Sequence, residues 1–144
     1  MATTATITLS SADIAGDPVN VSKTMTCTKA GTATDLDQST GLNRVHLRST
    51  TNKVLLGANA EGNDLAAKVY IINKATDPTI YVTITINAQT IGKLYAGDWM
   101  FIPWSQTDVA ADIEVAATNW TSASGDVPVE YAVFHEDTDL LTDA

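Results

Sequence analysis

The sequence predicts an all-β domain, an antiparallel sandwich or a closed barrel. Three observations carry that expectation. Apolar residues alternate with period two along many short runs, the uncharged polarity is rich in threonine, and turn chemistry recurs between the runs. Threonine is β-branched and fits strands better than helices. No segment shows a convincing period of 3.6; the one weak helical alternative is 58–66.

Taken in chain order, Ala5, Ile7 and Leu9 alternate with Thr4, Thr6 and Thr8. Val19, Val21, Met25 and Cys27 share a parity with Lys23, against Asn20, Ser22, Thr24 and Thr26. Further strands are expected over 44–49, 53–57, 67–73, 91–96 and 98–103. The run Lys68 to Asn73 is apolar on both parities, as a central strand would be. Ile80, Val82, Ile84 and Ile86 oppose Tyr81, Thr83 and Thr85. Ile113 and Val115 flank Glu114, and Val127, Val129, Tyr131 and Val133 oppose Glu130 and Ala132. Turns are expected at Gly16-Asp17-Pro18, Ala30-Gly31, Thr40-Gly41, Glu61-Gly62-Asn63-Asp64, Asp77-Pro78, Ala96-Gly97-Asp98 and Ser124-Gly125-Asp126. Many short strands with regular turns suit a sandwich or barrel.

The chain has 144 residues, enough for one domain with a sizeable core and no need of a disulfide or metal. Residues 1–135 are expected to form a single β-sandwich domain. Residues 136–144, with Glu136, Asp137, Asp139 and Asp143 and no base, are expected to be an acidic tail. The N-terminal segment and this tail are both candidates for an arm on a neighbour. A net charge of −9 repels nucleic acid and anionic membranes. No apolar run approaches the roughly 18 residues of a membrane span. The start carries no cationic segment followed by an apolar run, so a soluble protein made in a cytoplasm is expected.

Chemistry has few candidates. Cys27 is the lone cysteine and excludes an intrachain disulfide; it reads as a small buried hydrophobe. His46 and His135 are the two histidines. His46 is expected to face solvent or line an interface, and His135 to be a surface residue beside the tail. Asp35-Leu36-Asp37-Gln38-Ser39 begins like a calcium loop, but Gly41 comes one place late and His46 stands where a glutamate is needed. Nucleophile elbow and phosphate-cradle motifs are missing. The expectation is no enzyme, no metal and no cofactor.

The sharpest feature is Trp99-Met100-Phe101-Ile102-Pro103-Trp104. On a strand, Trp99 and Phe101 share one face, and Met100, Ile102 and Trp104 the other. Core packing, a protein interface and sugar stacking are all open readings of this run, with Tyr95 and Trp120 as further members. The interface candidates are Trp99, Phe101, Trp104 and Trp120.

The order Val69-Tyr70-Ile71-Ile72-Asn73, Ile80 to Ile84, Ile91 to Asp98, Met100 to Trp104, Ile113 to Ala117 and Val129 to Phe134 resembles small β-sandwich structural proteins of tailed-bacteriophage particles, of the kind that decorate or cement capsids. The likeness spans roughly 65–135 and consists of hydrophobic positions and turns. It implies a jelly-roll-like sandwich and a homo-oligomer, often a trimer. It also implies a place on the virion, with the major capsid protein or other virion proteins as partners. It carries over no catalytic residue. A tail, neck or fibre component and a carbohydrate-binding module are the alternatives.

Overall fold

A computed structural model describes residues 3–12, 19–27, 36, 38–58, 66–105 and 111–135. They form antiparallel sheets in sandwich-like layers and contain no helix. The strands are β1 (Thr4–Ser11), β2 (Val19–Thr26), β3 (Gln38–Ser39), β4 (Asn43–Leu47), β5 (Lys53–Leu56), β6 (Ala66–Asn73), β7 (Tyr81–Ile86), β8 (Gln89–Tyr95), β9 (Trp99–Ser105), β10 (Ile113–Thr118) and β11 (Val127–His135).

The pairing follows a nested scheme. β7 pairs with β8, β6 with β9, β5 with β10, and β4 with β11. The segment from β4 to β11 is thus one long hairpin with its tip between β7 and β8. It is rolled so that one sheet reads β4-β11-β6-β9 and the other β5-β10-β7-β8. Counted from one to eight, these orders are 1-8-3-6 and 2-7-4-5, the jelly-roll arrangement of eight strands and two Greek keys. β6 is an inner strand, between β11 and β9, as its two-sided apolarity requires.

Period-two alternation sets the inside. Val69 and Ile71 of β6, Val82 and Ile84 of β7, Ile113 and Val115 of β10, and Val129 and Val133 of β11 are fully or almost fully buried. Leu47, Leu56, Leu94 and Trp104 bring in β4, β5, β8 and β9, so every jelly-roll strand contributes to one core. Burying a side chain of this kind is worth about 1.5–3 kcal/mol.

The edge strand beside β11 is interrupted. β3 pairs at Ser39↔Phe134 and β4 resumes at Asn43↔Tyr131, so this edge carries one extra residue. The break falls at Thr40-Gly41-Leu42, where Gly41 takes a φ of 75°. Thr40 keeps the ladder closed: its amide donates to Val133 O, and its hydroxyl accepts from the Val133 amide. Such a bulge blunts an edge against unwanted pairing.

The tip of the rolled hairpin is the two-residue turn Asn87-Ala88, with φ of 50° and 57°. Left-handed geometry at both positions suits the twist of the strands and favours Asn-Gly. Alanine there costs about 1–2 kcal/mol of Cβ crowding. Ala88→Gly is therefore expected to stabilise the fold by about 0.5–1 kcal/mol after allowing for glycine's freer unfolded state. A urea midpoint equal to or below the parent's would refute this.

β1 and β2 stand apart as a two-stranded sheet in full register from Thr4↔Thr26 to Ser11↔Val19. Both strands lie where alternation expects them, but neither joins the sandwich sheets. The hairpin base is tied by the Cys27 amide donating to Thr3 O.

Candidate interaction surface

The outer face of the β4-β11-β6-β9 sheet gathers four aromatic residues, Tyr70, Trp99, Phe101 and Phe134. On β9, Trp99, Phe101 and Pro103 point away from the core; on β6 Lys68, Tyr70 and Ile72 do; on β11 Glu130, Ala132 and Phe134 do. The register aligns them in rows across the sheet. Trp99, Ile72, Glu130 and Arg44 form one row; Phe101, Tyr70 and Ala132 the next; Pro103, Lys68 and Phe134 the third. The Tyr70 and Trp99 rings lie 6.3 Å apart, as do those of Phe101 and Phe134 in an edge-on contact. Both spacings fit favourable aromatic pairing.

The root of the β1–β2 hairpin covers part of this face. Ala5, Ile7, Lys23 and Met25 stand opposite Tyr70, Trp99, Phe101 and Pro103 across a groove of about 480 Å³. Among the described residues Lys23 is the one charged residue lining it, and it has no acidic partner there. Towards β4 the face becomes ionic. The Arg44 guanidinium grips Glu130, and Arg48 holds Asp126 through two bonds of 2.7 and 2.8 Å, with His46 Nδ1 at 3.9 Å. These arginine hydrogen bonds hold both carboxyls below the usual carboxylate range. The Arg48–Asp126 pair is solvent-exposed and adds little to stability, whereas Glu130 is partly sheltered beneath Arg44.

The four aromatic candidates part company. Trp99 is 48% exposed and Phe101 half-buried, side by side on the outer face. Trp104 faces the opposite way, is 4% exposed, and donates Nε1–H to Ala111 O at 2.7 Å. It offers no surface to a partner, which corrects its expected place at an interface. The cause is parity: Met100, Ile102 and Trp104 take the inward side of β9. Trp120 is half-buried against the core, its Nε1–H bound to Gly125 O at 2.6 Å. Tyr95 stacks on Tyr81 at 5.2 Å, with Lys93 over the Tyr81 ring, on strands of the other sheet.

The candidates for chemistry are dispersed. Cys27 is buried, as expected of a small hydrophobe, and burial pushes its thiol up, away from the reactive thiolate. His46 is exposed. His135, expected at the surface, instead ends β11 on its inward parity and is 9% exposed. The expected tail, 136–144, lies outside the described residues, as do Asp35 and Asp37 of the calcium-like stretch. The second half of that stretch is built into β3 and β4. Most of the helical alternative at 58–66 is also outside the described residues, and Ala66 opens β6. Among the described residues no three His, Cys, Asp or Glu side chains are grouped as a metal site.

Sequence reasoning missed Asn73, fully buried and bonded to both sheets, and the Asn87-Ala88 turn. The second had a signal, an asparagine between two alternating runs; the first had none, because asparagine at a strand end reads as a turn.

The chain matches no protein-family model, and no curated protein and no solved structure is significantly similar to it. What stands is the class defined by its own strand order: an all-β, jelly-roll-like sandwich.

Proposed function

We propose that this chain is a non-enzymatic virion structural protein, a decoration or cement protein that reinforces a capsid shell. The observation that supports it most is the outer aromatic face: a rigid eight-stranded body presents Trp99, Tyr70 and Phe101 on one side, rimmed by ion pairs. An aromatic centre with a polar rim is the anatomy of a protein interface. The jelly-roll order suits a shell-associated module and also hosts other functions. In this reading the protein is made in the host cytoplasm, binds the major capsid protein or another virion protein, and forms a homo-oligomer. It works by adding buried area across a junction, where a stable contact needs roughly 1,000 Å² in total. With a net charge of −9 it avoids the packaged nucleic acid and needs no membrane. It requires no cofactor.

The test is to add purified protein to tailed-phage shells from the same source that lack it. Saturation at a copy number set by the shell's symmetry, with shells that survive hotter or more dilute conditions, is expected. A handful of copies at one vertex would assign it to the neck, tail or fibre. No binding, with a glycan quenching tryptophan fluorescence, would favour a carbohydrate-binding module, a reading supported by the exposed Trp99 ring.

A further inference from the structure

The groove beneath the β1–β2 hairpin root joins an apolar lining to a cation. Ile7 and Met25 stand opposite Trp99, Phe101 and Pro103, with Lys23 among them. Lys68 lies next to Pro103 in the third row of the same face. Burial pushes the Cys27 thiol up and the Lys68 charge draws it partly back, which places Lys68 beside the hairpin base. Among the described residues neither lysine has an acidic partner, in a chain whose net charge is −9. This corner of the face is therefore apolar, cationic and unmatched.

β11 delivers the chain to that corner. Its Phe134 completes the third row with Lys68 and Pro103, and its ring lies 6.3 Å from that of Phe101 in the groove wall. Beyond His135 come Glu136 and Asp137, and then Asp139 and Asp143 flank Leu140 and Leu141. Of the stretches outside the described residues, this one holds the most acids, with no base, and the sole pair of adjacent leucines. β9 lies two strand spacings from β11, about 10 Å. The six residues from Glu136 to Leu141 reach up to about 20 Å, so the leucines can cross to the groove.

We propose that residues 136–144 fold back over the outer face of their own subunit, seating Leu140 and Leu141 in the groove against Trp99 and Phe101, with Asp139 and Asp143 towards Lys23 and Lys68. Burial of the two leucines carries the contact. The exposed charge pairs add little energy and select the site. A tethered segment meets its site at an effective concentration on the order of millimolar, so weak intrinsic affinity suffices. The contact goes beyond the assembly reading and does not depend on it.

The full-length chain is studied by NMR in dilute solution with its leucine methyls labelled. The Leu140 and Leu141 methyls are expected away from random-coil positions, with nuclear Overhauser contacts to the Trp99 ring and the Met25 methyl. Leu140→Asp/Leu141→Asp should shift the Trp99 indole signal and leave the methyls of the sandwich core in place. Lys23→Glu/Lys68→Glu should raise the unseated population by ~10-fold, and Lys23→Arg/Lys68→Arg should match the parent. If the double reversal disturbs the core signals, Lys23→Glu alone, on the exposed hairpin, must move the population the same way. Random-coil tail methyls, or contacts to another face, overturn the inference. So does a tail that stays seated when the lysines are reversed. Contacts that vanish on dilution, or that arise between differently labelled chains, also overturn it, since the occupant is then a second copy. No shell enters this experiment, so the decoration reading stands or falls separately.

Discussion

Trp104→Ala is expected to cost about 3–5 kcal/mol of folding stability, the range for emptying a large aromatic site in a packed core. The indole is 4% exposed within the cluster that joins both sheets. It sits on β9, where Met100 and Ile102 share its inward parity and are half-buried in the same core. Its Nε1–H also bonds Ala111 O, so it pins the approach to β10. Truncation leaves a cavity and an unpaired carbonyl together. Trp104→Phe separates the two, since it keeps most of the volume and loses the donor; its cost should be about 1–2 kcal/mol. Urea unfolding followed by circular dichroism measures both. Had this tryptophan served a partner, Trp104→Ala would leave the isolated chain's midpoint unchanged and act only on association, and that result would refute its role as core.

Asn73→Leu is expected to cost about 3 kcal/mol despite removing a polar group from the core. Asn73 is fully buried at the end of β6. Its Nδ2 donates to Leu94 O at 2.9 Å, across to the opposite sheet, and lies 3.5 Å from Ile80 O. Its Oδ1 accepts from the Ala75 amide at 2.9 Å. Its main chain accepts from Gly97 and donates to Asp98 O. The side chain therefore ties the end of β6 and the following connection to β8, while the main chain of Asn73 holds the β8–β9 turn. Leucine fills similar space but strands a buried carbonyl and an amide, at about 1–3 kcal/mol each. The measurement is a denaturant midpoint with an unchanged slope. A loss under about 0.5 kcal/mol would mean that the backbone re-pairs and that the bonds are not cooperative.

The fold was legible where alternation was unbroken. Val127 to Val133, Tyr81 to Ile86 and Ile113-Glu114-Val115 became strands with the expected side inward, because a buried face on a period-two chain leaves no other register. Ala96-Gly97-Asp98 and Ser124-Gly125-Asp126 became turns, with Gly97 and Gly125 at positive φ. The first hairpin was legible as strands but not as a separate sheet: alternation records that a face is apolar, not what it lies against. The interaction surface was half legible. Trp99 and Phe101 share the face assigned to them, yet nothing in the run says which parity is inward, and that choice decides Trp104. The Arg44–Glu130 and Arg48–Asp126 pairs, 86 and 78 residues apart, follow from pairing that no local pattern encodes.

The nesting of the ladders also sets an order of events. β7 and β8 meet across two residues, whereas β4 and β11 bring Leu47 to Val127. Closing the outer pair first would sacrifice the entropy of the whole intervening chain, so pairing should begin at Asn87-Ala88 and zip outward. A topology with such distant partners folds in milliseconds to seconds. Ala88, at positive φ, then stands where that pairing begins, and easing it with glycine should quicken refolding more than it slows unfolding.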